Sequence, residues 1–157
     1  MAARLDRVLV PVDFSKESIQ ALEYAVELTR PFRAELLVLF VLEPMSYATP
    51  ADLYGPSANL SMLQEEQRRV ATEQLKRLAA RWKRRGVAVR TLLEAGTPHE
   101  VITDLARRRR VDLIVMATHG RTGVSHLLLG SVAERVIRTA TCPVLTVRRL
   151  RRARKRR

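Results

Sequence analysis

The residues best suited to chemistry lie between Ala117 and Ser131, in the stretch ATHGRTGVSHLLLGS, which holds Gly120, Gly123 and Gly130. Glycine permits positive φ and leaves no side chain between backbone N–H groups and an approaching oxyanion. Gly130-Ser131 opens a run with helical periodicity. A helix N-terminus carries partial positive charge and unpaired N–H groups, so a phosphate fits there. The Ser131 hydroxyl can donate to a phosphate oxygen or touch a bound metal ion. Ser131-Val132-Ala133-Glu134 is equally a capping box, in which Ser131 only caps its helix. Neither GxxxxGK[ST] nor a strand-following GxGxxG occurs, so those two nucleotide signatures do not apply. Arg121 can pair with an oxyanion or stay in solvent. His119 and His126 stand seven apart with no cysteine nearby, which is a poor zinc set. Cys142, before Pro143, reads as a small buried hydrophobe.

These residues need a frame, and the chain supplies alternating strands and helices. Arg7–Val12 is a short β-branched run. Asp13-Phe14-Ser15 turns the chain, and the Ser15 hydroxyl can N-cap a helix carrying Ile19, Leu22 and Val26, which Pro31 stops. Glu35–Leu42 is a second strand, and its continuous apolar run from Leu36 is what burial on both faces would require. Pro44–Asn59 is a proline-rich loop. Leu60–Arg85 reads as a long helix with Leu63, Val70, Leu75, Leu78 and Trp82 inward, ended by Gly86. Val87–Leu93 is the third strand, and Thr97-Pro98-His99-Glu100 a capping box with proline at the first helical position. That helix closes on Arg107–Arg110, cations suited to its dipole, with His99 exposed in its first turn. Val111–Ala117 is the fourth strand, followed by a loop of about a dozen residues, longer than a connection requires. Ser131–Ala140 is the last helix and Pro143–Val147 the fifth strand. Such alternation implies an α/β fold, a doubly wound parallel sheet covered by helices on both faces. In these sheets ligands sit beyond the carboxyl ends of the strands, where the winding reverses. If strand four lies beside strand one, Asp13–Ser15 and Thr118–Gly130 meet in that crevice.

Composition bounds the rest. At 157 residues and 46% hydrophobic, the chain is one ordinary domain with enough apolar residues for a core. The apolar run Leu36–Leu42 is too short to span a bilayer, and an acid interrupts the N-terminal sequence before an h-region develops. A single cysteine excludes an internal disulfide framework. A cytoplasmic protein is expected. The net charge of +13 is uneven, because residues 148–157 (RRLRRARKRR) hold eight basic residues and no acid. A domain over 1–147 with a solvated basic tail over 148–157 is expected. The tail can also attract nucleic acid, acidic lipid or an acidic partner.

With these segments in view, the sequence resembles the universal stress protein family in its small, single-domain form. The resemblance runs from about Arg7 to Val147 and rests on VLVPVDFS, GTPHEVI, ATHGRTG, LLLGSVAERVI and TCPVLTVR. The nucleotide-binding branch of that family carries G-x2-G-x9-G-[ST], kept here as Ala117-x2-Gly120-x9-Gly130-Ser131, with alanine for the first glycine. The resemblance implies a Rossmann-like, five-stranded sheet of the adenine nucleotide alpha hydrolase-like kind, in the order 3-2-1-4-5. It implies ATP as ligand, with Mg²⁺ reached through Asp13 and Ser131. It puts Pro11, Val12 and Val41 at the adenine, and Asp13 at the ribose or a metal-linked phosphate. Met116, Ala117, His119, Gly120, Gly130, Ser131 and Val132 fall on the phosphate and ribose side, beside Arg121. Asp13 can also simply cap its turn. A homodimer through the last strand is implied as well. The reading that follows is an ATP-binding, nucleotide-dependent stress-response regulator without a strong hydrolytic apparatus. The alternatives are a slow ATPase or autophosphorylating enzyme, and an interaction module acting through the arginine tail.

Overall fold

A computed structural model describes residues 5–43, 58–118 and 130–148. The element order is β1 (Arg7–Pro11), α1 (Lys16–Thr29), a 3-10 turn (Arg30–Phe32), β2 (Glu35–Leu42), α2 (Ala58–Lys83), β3 (Val89–Ala95), α3 (Pro98–Arg108), β4 (Leu113–Ala117), α4 (Ser131–Thr139) and β5 (Val144–Val147). All four strand pairings are parallel, and the sheet order is β3-β2-β1-β4-β5, as expected.

The two faces follow from the alternation of strand side chains. Val8, Val10 and Val12, with Leu36, Val38 and Phe40, meet Leu22 and Val26 of α1 and Leu75 and Trp82 of α2. Leu9, Leu37, Leu39, Ile114 and Met116 meet Ile102 and Leu105 of α3 and Val136 of α4. Burial on both sides explains why β2 is apolar without interruption from Leu36 to Leu42.

Several boundaries differ from the sequence reading for local reasons. Helix α2 ends in a Schellman closure: Gly86 at φ 75 donates to the Lys83 carbonyl (3.0 Å) and Val87 to that of Trp82 (3.2 Å). Val87 is thereby spent, so β3 starts at Val89 and runs on to Ala95 opposite Leu42. Val111 is likewise spent on the Ala106 carbonyl (2.9 Å), so β4 starts at Leu113. Thr97 gives α3 no side-chain cap, and the capping box there is not formed; Pro98 at the first position leaves one donor fewer to satisfy. The inward stripe of α2 also needs correction. Leu75 and Trp82 are buried with Ala71 and Ala79, and Leu78 partly, but Leu63 and Val70 are 43% and 41% exposed. The core ends near Ala71, so the N-terminal half of the helix stands proud of the sheet. The expected loop Pro44–Asn59 ends sooner, because α2 already starts at Ala58; the rest of that loop, and the expected tail of 148–157 beyond Arg148, lie outside the described residues.

Candidate functional site

Asp13 begins the site, one residue past the last paired backbone bond of β1, Val12 N–H to the Leu39 carbonyl (2.8 Å). Its Oδ1 accepts the Ser15 N–H (3.0 Å) and the Ser15 hydroxyl (2.5 Å). Ser15 Oγ in turn caps α1 by accepting the Ser18 N–H at 3.1 Å, and Ser18 Oγ accepts the Asp13 N–H at 3.3 Å. This Asx turn holds Phe14 at φ 62, a left-handed conformation uncommon for a bulky residue, and its ring stacks on Phe40 with centroids 4.8 Å apart. The turn-capping role of Asp13 is therefore realised, and it fixes the carboxylate at the carboxyl end of β1.

On the neighbouring strand, β4 ends at Ala117. The Thr118 N–H continues the ladder to the Val147 carbonyl (3.2 Å), while the Thr118 carbonyl accepts the Gly130 N–H at 2.7 Å. The two ends of the glycine-containing segment are thus tied together beside β1. Gly130 itself is the N-cap of α4, at φ −61 and ψ 145, and no side chain caps the helix. Ser131 is the first helical residue, so the capping box expected from Ser131 and Glu134 is not formed. Glu134 instead pairs with Arg138 at 2.8 Å. The cause is a register difference of one residue, which leaves the Ser131 hydroxyl without a hydrogen bond among the described residues and turns it to solvent.

These pieces line a cavity of ≈ 590 Å³ over the crossover between β1 and β4, where the winding reverses. This is ordinary for a small-molecule site. Pro11, Val12, Asp13, Val41, Met116, Ala117, Gly130, Ser131 and Val132 all line it. His119, Gly120 and Arg121, with Gly123 and His126, lie outside the described residues. Among the described residues no cluster of three or more His, Cys, Asp or Glu side chains could hold a metal ion.

The sequence reading missed one wall. Glu66, Gln67, Val70, Ala71 and Gln74 of α2 close the cavity, and Pro98 and Ile102 bring in the start of α3. The spacing of Gln67, Ala71 and Gln74 marks one helix face, but only the packing shows that this face looks into a crevice. Glu66 is anchored by Arg69 through bonds of 2.6 and 2.8 Å, and these hold its carboxyl below the usual range. Cys142 lies apart from the cavity, half-buried against the α3–α4 side of the sheet, and burial pushes its thiol up.

The comparisons with known proteins agree with this arrangement. The profile of the Universal stress protein family matches residues 4–148. A universal stress protein of Methanocaldococcus jannaschii is 36% identical over 144 residues, which is 91% of this chain and 82% of the relative. Among solved structures, the universal stress protein UspA from Lactobacillus plantarum superposes with a TM-score of 0.76 at 29% identity, covering 93% of this chain and 99% of that one. A universal stress protein family protein from Arabidopsis thaliana, solved with AMP bound, shares the fold with a TM-score of 0.67 at 21% identity and 93% coverage of both chains. With its sheet order, its crossover cavity and a family match over nearly its whole length, the chain belongs to the universal stress protein family.

Proposed function

We propose that this chain binds an adenine nucleotide, ATP with Mg²⁺ first among them, and acts as a nucleotide-dependent regulator in the stress response. The observation that carries the reading is the convergence of nine site residues, chosen from sequence, on one cavity at the sheet crossover. Pro11, Val12 and Val41 offer apolar surface to a base. The bare N-terminus of α4 offers orphan N–H groups and partial positive charge to phosphates. The free Ser131 hydroxyl adds a donor. Asp13, held by its turn, offers one carboxylate to ribose hydroxyls or to Mg²⁺, which binds through one or two carboxylates and the phosphates and keeps its other waters. A protein of this fold has been solved with AMP, in keeping with an adenylate ligand here.

Calorimetric titration with ATP and Mg²⁺, alongside AMP and GTP, tests the reading, and mass spectrometry of the protein purified without added nucleotide supports it if ATP or AMP is carried along. Nucleotide at about one hundred times Kd should add about 2.7 kcal/mol of stability, and so raise the melting temperature by several degrees. No binding at millimolar nucleotide would sink it. Slow hydrolysis or autophosphorylation at Ser131 is the enzymatic alternative; phosphate release that scales with protein and vanishes in Gly130→Val would favour it. Assembly as a homodimer through β5, a cytoplasmic setting and the extent of the domain over 1–147 belong to the same proposal.

A further inference from the structure

The end of the sheet opposite the cavity carries six cations that form no ion pair among the described residues. In a parallel α/β fold every helix-to-strand connection returns to this end. Before β3 stand Lys83, Arg84 and Arg85; before β2 stands Arg33; before β4 stand Arg109 and Arg110. All six are exposed. Other arginines are taken up by carboxylates: Arg30 by Glu27, Arg81 by Glu23, and Arg107 and Arg108 by Asp104. Among the described residues the six form no ion pair, although Arg85 lies over the Trp82 ring at 5.2 Å. The acids at this end are Asp6, Glu35 and Asp112, and the Asp112 carboxylate is already committed to the N–H groups of Asp6 and Arg7, each at 2.8 Å. The sheet order spreads the cations from β3 through β2 to β4, three strand spacings or about 14 Å.

Cations at helix ends can merely answer the helix dipole. Two of these do more than that. Arg33 and Arg110 occupy left-handed positions, at φ 55 and 51, where Gly86 serves the equivalent turn before β3. A side chain with Cβ is disfavoured there and glycine is not. Arginine stands where the backbone asks for glycine. Beside Arg33, Phe32 is 52% exposed, an aromatic face next to the guanidinium row.

We propose that this face binds single-stranded nucleic acid, with backbone phosphates along the arginine row and a base stacked on Phe32. Rows of cations with an adjacent aromatic suit a flexible polyanion that has π faces. An anionic membrane is less suited, because the cations come from short turns and no amphipathic helix lies among them to insert. The chain leaves β5 for Arg148 at the cavity end of the sheet, opposite this face.

The test uses the full chain and its triple variant Arg33→Gly, Arg84→Gln, Arg110→Gly, with a fluorescein-labelled oligothymidylate followed by anisotropy over a salt series. Two of the changes relieve left-handed strain, so the variant should melt no lower than the parent and keep its ATP titration. Its salt dependence should be shallower by about 2 in log K against log salt, at about 0.7 for each lost phosphate contact. Phe32→Ala should weaken binding without changing that slope. An unchanged slope in the triple variant overturns the proposal and assigns all oligonucleotide binding to the tail. Loss confined to phosphatidylserine vesicles, with oligonucleotide binding intact, overturns it in favour of a membrane.

Discussion

At the residue scale, Asp13 does two jobs that substitution can separate. Asp13→Asn keeps a side-chain oxygen for the Ser15 N–H, so the Asx turn survives, but the charge is gone. Its melting temperature should stay close to the parent's while ATP–Mg²⁺ affinity falls more than AMP affinity, as calorimetry would read. Asp13→Ala removes the acceptor as well and should cost about 1–2 kcal/mol in urea unfolding. Cys142 gives a pH-dependent expectation. The thiol is raised by burial and by the Asp112 carboxylate, so at neutral pH it holds less thiolate than a free cysteine. Folded protein should react with a disulfide reagent more slowly than urea-unfolded protein. The raised folded-state value means its contribution to stability is present below the unfolded pKa and is lost as pH climbs through the folded one. Equal rates for folded and unfolded chains would contradict this placement. The site residues on strand ends were legible as residue types. Asp13 was legible as a turn former, and the Asx bonds to Ser15 confirm that role. Ser131 was legible only as an alternative between cap and ligand donor. One residue of helix register decides against the cap, and register depends on how α4 packs through Ala133 and Val136.

At the element scale, two glycines separate backbone strain from crowding. Gly96, at φ 144, would bring an added Cβ within 2.9 Å of Val101 Cγ2, whereas at Gly86, φ 75, nothing lies within 4 Å. Gly86→Ala should cost about 1 kcal/mol from the left-handed backbone alone. Gly96→Ala should cost about 2–4 kcal/mol, because overpacking adds to the strain. Denaturant midpoints rank the two, and the reverse order would be wrong for this geometry. Helix α2 divides in the same way. Leu75→Ala, in the core, should cost about 2–4 kcal/mol, whereas Val70→Ala, on the exposed cavity wall, should cost less than about 1 kcal/mol and be felt mainly in nucleotide affinity. Periodicity gave both residues the same inward role. It specifies a face of the helix, and cannot say that the sheet stops partway along it.

At the scale of the whole molecule, the sheet has β3 and β5 as its edges, and β5 is four half-buried residues long. An edge strand invites pairing with a second copy, and a lysine on such an edge discourages it. Thr146→Lys should shift sedimentation from dimer toward monomer and leave the far-UV spectrum unchanged; a parent that sediments as a monomer would remove the basis of the dimer proposal. Charge is also divided at this scale. The chain leaves β5 at the cavity end of the sheet, and Arg33, Arg84, Arg85, Arg109 and Arg110 stand at the other end without an ion pair among the described residues.

The sequence by itself determined the kinds and order of the elements, because the strand period of two and the helix period of 3.6 are written in where apolar residues recur. It determined which face of β2 could meet water, namely neither, and it marked the glycine spacing that carries the family resemblance. Strand order came through the family resemblance and was not readable from periodicity, while helix register at Ser131, the α2 wall of the cavity and the meeting of Arg33 and Arg110 at one end of the sheet were settled by tertiary packing. These are relations between residues such as Arg33 and Arg110 that lie far apart in the chain. Parallel pairing brings them together, and local propensity carries no information about which strand becomes a neighbour.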